Sequence, residues 1–399
     1  MNKQTVSRIL YLGISPIQNS KPFRILEQRT DVSITVAYLK KPLADIEKDK
    51  ESITKDAFDT DMLSGYNHHF LKTFNITKRG FFSFISTEII RLIKEHDIIV
   101  VFGHNYFTFW IAMLSAKFYR KKLMQTTDAT YMEATAESKG WKMKFKPMFL
   151  RWLYNRYANG VFVTSTASRI FLESVGIKKD RIAVIPYAVD EDMIQSVSAK
   201  TDVGLIRSQL KIPTTNTVFV FCAKFIDRKR PMDAIEAFAR LHNSEASLIM
   251  IGEGPLMSEL RRRVNELGLS DNVLFPGLVK YSTLPSYYTA SNVLVFCSDH
   301  EPYGLPVNEA MLCGKPVILS DRIGARLDLV EEGKTGWIYP TGDIKELANC
   351  MQTALNNTVW LKEMGKLAEK KMLDWSSQTY VEKQLGYMSS QNWLNHIDQ

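Results

Sequence analysis

The sequence predicts an α/β protein made of two doubly wound domains, on three observations. Short apolar runs alternate with amphipathic stretches, the pattern of parallel strands joined by helices. That series runs twice along the chain. At 399 residues the chain is also longer than a single ordinary core supports. In the first half the expected strands are Arg8–Gly13, Val32–Tyr38, Ile98–Phe102, Lys122–Thr126, Gly160–Thr164 and Ile182–Ile185, with helical stretches such as Phe82–Glu95 between them. In the second half they are Val218–Cys222, Ser247–Ile251, Val273–Phe275, Val293–Phe296 and Pro316–Leu319. The helices expected there are Met232–Leu241, Leu256–Leu267, Leu284–Ala290 and Leu305–Cys313. A polar, Pro-containing seam sets the domains at 1–195 and 196–375. The tail, 376–399, carries Tyr380, Tyr387 and Trp393 and is expected to pack back on the first domain.

Composition narrows the class. Hydrophobic residues are 45% and charged residues 24% of the chain, the balance of a soluble globular protein. No apolar run approaches the roughly 18–20 residues of a membrane span. The N-terminal stretch MNKQTVSRILYLGISP reads as a first strand and not an export signal, which makes the cytosol the expected compartment. Cys222, Cys297, Cys313 and Cys350 show no CxxC spacing and read as buried thiols. His68-His69 reads as a loop pair. The net charge of +8 lies in the first half: residues 1–200 hold 30 Lys and Arg against 20 Asp and Glu, residues 201–399 hold 21 against 23. Such asymmetry points to an acidic partner for the first half.

The densest chemistry lies in EPYGLPVNEAMLCGKPVIL, residues 301–319. A strand ends just before it, and a helix starts near Gly304 or Leu305 and stops at Cys313, with Gly314 after it. The N–H groups of Tyr303, Gly304 and Leu305 then face a possible phosphate, and Gly304 lets an anion approach. Carboxylates repel phosphate, so Glu301 and Glu309 need other partners. Sugar hydroxyls fit, because a carboxylate accepts hydrogen bonds from a vicinal diol. The layout suits a nucleoside diphosphate-sugar, with ribose on Glu309 and the transferred sugar on Glu301. Cations come from FVFCAKFIDRKRPMDAIEAF, residues 219–238: Lys224 follows a strand, Lys229 opens the next helix, and Arg228 and Arg230 flank it. Strand C-terminal ends are where open α/β sheets bind ligands. Lysines there could stabilise a leaving diphosphate.

The second half resembles the retaining GT-B glycosyltransferases of family 4, the "glycosyl transferases group 1" family. The resemblance rests on CAKFIDRKRPMDAIEAF, on IGEGPLMSELRRRVNELGLSDNVLFPGLVKYSTLPSYYTASNVLVFCS, and above all on EPYGLPVNEAMLCGKPVILSDRIGARLDLVEEGKTGWIYPTGD, with its E-x7-E spacing, small-residue turn and GKTG segment. It covers about 150 residues. It implies two Rossmann-like domains facing a cleft and a hexosyltransferase that retains anomeric configuration. It also implies ribose on Glu309, donor sugar on Glu301, diphosphate on Lys224 and Lys229, and a nucleobase near Gly277, Leu278 and Lys280. Lys224 stands where the family more commonly has Arg.

The first half resembles the family's acceptor domain less clearly. Many members carry a Gly-rich loop after the first strand; this chain has ISPIQNSKPFRIL, with Gly13 alone nearby as a donor contact. His104 and Asp128 end successive strands and are the candidates there for orienting the acceptor or touching the donor sugar. Either could equally be a polar loop residue.

Other signals are weaker. GEG in IGEGPL lacks the third glycine of a dinucleotide fingerprint. Asp59-Thr60-Asp61 and Asp190-Glu191-Asp192 match a chance-prone DxD pattern, and no cofactor or essential metal is expected. KGWKMKFKPMFLRWLYNRY, residues 139–157, has six Lys and Arg before Tyr157 and no acid. Its stripe of Phe145, Met148, Phe149 and Trp152 reads either as core or as an interfacial face, with Trp141 and Phe145 at headgroup level on an anionic membrane. No nucleic-acid motif accompanies the charge.

The expected function is therefore transfer of a sugar from a UDP- or GDP-sugar to a hydroxyl of a glycan or lipid-linked acceptor, in envelope or exopolysaccharide synthesis, by a cytoplasmic protein peripheral to the membrane. A sugar-nucleotide epimerase, a phosphorylase and a non-catalytic nucleotide-sugar binder are the alternatives.

Overall fold

Runs rich in Val, Ile, Leu and Phe make strands that are buried on both faces, as parallel sheets covered by helices require. The computed structural model of the chain describes residues 6–16, 20–41, 59–130 and 141–394. It holds two sheets and divides into two compact units.

The first unit takes its described residues from within 1–45, 61–188 and 377–399. Its strands are β1 Ser7–Gly13, β2 Val32–Tyr38, β3 His68–Phe70, β4 Ile98–Phe102, β5 Lys122–Thr127, β6 Gly160–Val163 and β7 Ile182–Val184. They lie in the order β3-β2-β1-β4-β5-β6-β7, every pairing parallel. The helix Ser377–Ser390 belongs to this unit: Val381, Leu385 and Met388 are buried beside Ile9, Tyr11 and Phe23, and the Tyr11 hydroxyl donates to Gln384 Oε1 at 2.6 Å.

The second unit takes its described residues from 59–60 and 189–376. Its strands are β8 Thr217–Cys222, β9 Ala246–Ile251, β10 Val273–Gly277, β11 Val293–Phe296, β12 Val317–Ser320 and β13 Gly336–Tyr339, in the order β10-β9-β8-β11-β12-β13 and all parallel. In each sheet the direction of winding reverses once, at β1/β4 and at β8/β11. The strand ends at that reversal are the natural ligand positions of an open α/β sheet.

Several expectations need correction. His68 and His69 are not a loop pair but part of edge strand β3, in register with Val36 and Ala37 of β2. The helix expected over 82–95 begins only at Ile89. Ile85 instead exchanges backbone hydrogen bonds with Phe74, and Phe84 has a φ of +53°, which no helix accommodates. The division falls at Ala188 and Val189, ahead of the expected 195, because the helix Glu191–Lys200 packs on the helices Leu284–Ala290 and Leu305–Leu312 of the second unit. All four cysteines are free; Cys297, Cys313 and Cys350 are buried and Cys222 is partly exposed.

Candidate active site

In the second unit, β8 and β11 are neighbours, so the loops leaving their C-terminal ends meet. The meeting is fixed by hydrogen bonds to backbone carbonyls. The Asp299 N–H donates to the Arg228 carbonyl at 2.8 Å, the Ser298 hydroxyl donates to the same carbonyl at 3.1 Å, and the Arg228 guanidinium donates to the His300 carbonyl at 2.7 Å. This seats the Lys229 ammonium directly on the Glu301 carboxylate, over the face of Phe296 at 5.4 Å. Arg228 reaches the same carboxylate at 3.7 Å. Burial lowers the Lys229 pKa; Glu301 pulls it back up, and the positive charges of Arg228 and Lys224 push it down again. Lys224, Arg228, Lys229 and Glu301 thus form one electrostatic cluster at the sheet's reversal point.

The main chain of Glu301 is held from the other side. Its N–H donates to the Arg322 carbonyl at 3.2 Å, and its carbonyl accepts from the Gly324 N–H at 2.9 Å. A side chain at Gly324 would collide with the Pro302 carbonyl, its Cβ only 1.8 Å away. The small-residue turn read from the sequence therefore clamps the Glu301–Gly304 loop.

The helix that follows runs Leu305–Leu312 with Gly304 as its N-cap, at a φ of +105° that glycine adopts without strain. Pro306 carries no N–H, and the Val307 N–H turns back to the Gly304 carbonyl at 3.0 Å. The N–H groups of Gly304 and Leu305 donate to nothing among the described hydrogen bonds. Tyr303 is itself buried, and its carbonyl accepts from the Ala325 N–H.

Glu309, one turn further along, is only 5% exposed. Tyr288 donates to its Oε2 at 3.0 Å. Burial raises its pKa to about 7, against the pull of the Tyr288 and Tyr281 hydroxyls. The same environment pushes the Cys222 thiol to about 12, through burial first and then the Glu309 charge. Tyr281 and Tyr288 were not singled out from the sequence. Their signal was present: they lie seven apart, in and just before the helix Leu284–Ala290, in the block that carries the family resemblance.

Gly277 and Leu278 lie at the end of β10, separated from β8 by β9, and the Gly277 carbonyl accepts from the Gly252 N–H at 3.1 Å. The GEG glycines have a packing role. A Cβ at Gly252 would lie 2.0 Å from the Ala223 carbonyl oxygen, and one at Gly254 would lie 2.4 Å from that of Phe225. They admit the backbone on either side of Lys224, not a pyrophosphate. Three of the DxD aspartates have structural partners. Asp190 caps the helix Glu191–Lys200, Asp59 accepts from Ser282, and Asp61 accepts from the N–H groups of Leu63 and Ser64.

In the first unit, Gly13, His104 and Asp128 line one cavity of about 580 Å³ at the strand ends. Burial, and then the charge of Lys146, lower the His104 pKa. Residues 17–19 of the stretch after Gly13 lie outside the described residues.

In the basic helix Trp141–Tyr157 most of the expected stripe lies outside the core. Leu150, Leu153 and Tyr154 face the core. Phe145, Met148 and Trp152 are 51%, 61% and 47% exposed, while Phe149 packs on Trp110 at 6.0 Å. Residues 139–140 and the side chains of 141–144, Trp141 among them, lie outside what is described.

Comparison with known proteins bears on the family and the fold. The family model "Glycosyl transferases group 1" matches residues 202–371, and "Glycosyltransferase Family 4" matches residues 45–193. The chain is 26% identical over 181 residues to the N-acetyl-alpha-D-glucosaminyl L-malate synthase of Bacillus anthracis, covering 45% of this chain and 47% of that protein. It is 27% identical over 210 residues to the 2-deoxystreptamine glucosyltransferase of Streptomyces kanamyceticus, covering 52% and 54%. The chain thus spans about half the length of these curated relatives. Among solved structures, HepE from Anabaena in complex with UDP superimposes with a TM-score of 0.73 at 20% identity, over 96% of this chain and 100% of that one. Two family models that together cover most of the chain, and two parallel Rossmann-like sheets of matching fold, establish that this chain belongs to glycosyltransferase family 4, with the GT-B fold.

Proposed function

We propose that this chain transfers a sugar from a UDP- or GDP-linked donor to a hydroxyl of a glycan or lipid-linked acceptor, with retention of configuration, in envelope or exopolysaccharide synthesis. The observation that carries the reading is the cluster of Lys224, Arg228, Lys229 and Glu301 beside the N-terminus of the helix Leu305–Leu312. The cations and the N–H groups of Gly304 and Leu305 would take the diphosphate. Glu301 would hold hydroxyls of the transferred sugar, and Glu309 would share its carboxylate between Tyr288 and the ribose. In the transfer the bond from the anomeric carbon to the phosphate oxygen breaks, and a bond to the acceptor oxygen forms. The acceptor proton passes to the leaving diphosphate, so no separate base is needed. The charge on the leaving group is met by the chain's own cations, and no metal is assigned a role.

Binding and turnover test this reading. A nucleoside diphosphate at a hundred times its dissociation constant should stabilise the protein by about 2.7 kcal/mol. A thermal-shift panel of UDP, GDP, ADP and TDP, with and without sugars and with NAD alongside, should single out UDP or GDP. Proton NMR of the product should show the donor's anomeric configuration. A shift with NAD alone, or with no nucleotide, would remove the transferase reading.

Membrane docking belongs to the same proposal. No helix among the described residues is long and apolar enough to cross a membrane. Trp152 stacks on Trp110 at 6.2 Å, joining Phe145 and Met148 to Leu114 and the 78% exposed Phe118 on the neighbouring helix Phe107–Phe118. Lys117, Arg120, Lys146, Arg151 and Arg156 belong to the same two helices and their ends. Exposed apolar side chains among basic ones suit an anionic bilayer surface. The protein should co-sediment with phosphatidylglycerol vesicles and not with phosphatidylcholine vesicles, and the double variant Phe118→Ser, Met148→Ser should lose most of that binding. Equal binding to both lipids would sink the docking idea.

A further inference from the structure

The cavity of the first unit combines two kinds of wall. It opens at the C-terminal ends of β1, β4, β5, β6 and β7, at the β1/β4 reversal. Its volume of about 580 Å³ is ample for one drug-sized molecule. Phe23, Tyr38, Phe102, Phe162, Ile185 and Tyr380 give it an aromatic and aliphatic lining; the last of these comes from the helix Ser377–Ser390. Four of the six are 5% exposed or less, so this lining is built into the core and is not loose surface.

Across the ends of three adjacent strands, the cavity also meets polar atoms. His104 Nδ1, Thr126 Oγ1 and Thr164 Oγ1, at the ends of β4, β5 and β6, are buried and have no hydrogen-bond partner among the described residues. The register sets Thr126 opposite Phe102 and Phe162, so His104 and Thr164 each follow one of its direct neighbours by two residues. Among the described lining residues the charged side chains are Asp128 and Lys146, one of each sign, which gives no preference for a charged ligand.

Neither a wholly polar nor a wholly apolar ligand fits both walls. A polar oligosaccharide would lose hydration against the aromatic lining without replacing it. A plain hydrocarbon would seal three polar atoms without partners. We propose that this cavity binds a neutral, hydroxyl-bearing head on an apolar body, with hydroxyls on His104, Thr126 and Thr164 and the apolar body against Phe23, Tyr38, Phe162 and Tyr380. The proposal rests on the transferase reading in that this molecule is the acceptor. It specifies an acceptor whose hydroxyls are carried on an apolar body, and not a bare glycan.

Three probes share a head and differ in body: methyl, n-octyl and 2-naphthyl β-D-glucopyranoside. They are titrated calorimetrically into the full chain without donor, with the octyl compound below its micelle concentration. The octyl or the naphthyl compound should bind at least tenfold more tightly than the methyl compound. A preference for octyl identifies an alkyl or prenyl body, and one for naphthyl an aromatic body. Ile185→Trp, which fills the cavity, should abolish the difference and leave the melting shift with UDP or GDP unchanged. Thr126→Val, nearly the same shape, should weaken the preferred probe about fivefold or more and gives a second reading if Ile185→Trp does not fold. Equal affinity for the three probes in the unmodified protein overturns the proposal, as does undiminished octyl and naphthyl binding in a folded Ile185→Trp. Transfer to acceptors without any apolar preference would overturn this proposal and leave the transferase reading standing. Apolar preference with no transfer from any nucleotide-sugar would remove the transferase reading and the acceptor role with it, and leave the ligand class standing.

Discussion

Replacing Lys229 with alanine is expected to lower turnover by about a hundredfold or more, the usual cost of removing one group that stabilises charge developing in a transition state. The donor's apparent Michaelis constant should rise much less. The expectation rests on where the ammonium sits: on Glu301, over Phe296, with Lys224 and Arg228 close enough to depress its pKa. Before the sugar departs, its hydroxyls would compete with Lys229 for Glu301. As the diphosphate leaves and gains charge, Lys229 would be drawn to it, so the interaction grows along the reaction. The variant has a second consequence. It removes the closest cation from the mostly buried Glu301 and leaves Arg228 3.7 Å away. Stability should therefore fall as well, because removing one partner of a buried pair strands the other. Melting temperatures without donor separate that loss from the catalytic one. Lys229→Arg keeps the charge and should recover stability before it recovers rate. If the Michaelis constant alone changed in the alanine variant, Lys229 would be a ground-state binder only.

The expectation for Lys229 could be framed from sequence, but its pairing with Glu301 could not. The two are 72 residues apart, and only the placement of β8 beside β11 brings them together. What the sequence shows well is whatever repeats with a period. The long Val, Ile and Leu runs of β1, β2, β4, β8 and β9 carry their own assignment, and so does the glycine-punctuated helix at 305–313. What it hides is whatever depends on a neighbour. β3 is three residues long and two of them are histidines; its strand character comes entirely from lying beside β2. β13 begins with the Gly and Trp of a segment that looks like a turn, and it pairs because Gly336 has no Cβ to strike the Val317 carbonyl. The helix expected over 82–95 has a suitable apolar period, yet Ile85 finds a better partner in Phe74. At the site, the two glutamates were visible from their spacing. The burial of Glu309 and its tyrosine partner Tyr288 were not, because they arise from a helix that packs on it from another part of the chain.

Burial makes Glu309 the source of the second large effect. Glu309→Ala should weaken nucleoside diphosphate binding at least tenfold, measured calorimetrically. It would also strand the Tyr288 hydroxyl, at a cost of about 1–3 kcal/mol to the fold. Glu309→Gln avoids that loss, since a carboxamide oxygen still accepts from Tyr288, and so isolates the role of the charge. The carboxyl titrates at about 7 in the unliganded protein, raised by burial. A ribose diol donates its hydrogen bonds to the ionised form, so donor binding should favour the deprotonated protein. The sign follows: affinity rises as pH rises through 7. A group with that pKa is about nine-tenths ionised at pH 8 and about one-tenth at pH 6, which makes binding about tenfold weaker at pH 6. The diphosphate also titrates near that range, and this contribution is common to the parent and to Glu309→Gln. The difference between their pH profiles therefore belongs to Glu309. Profiles that run parallel from pH 6 to pH 8, with equal affinity at pH 8, would take the ribose away from Glu309 and leave that residue as a buried strut beneath the helix.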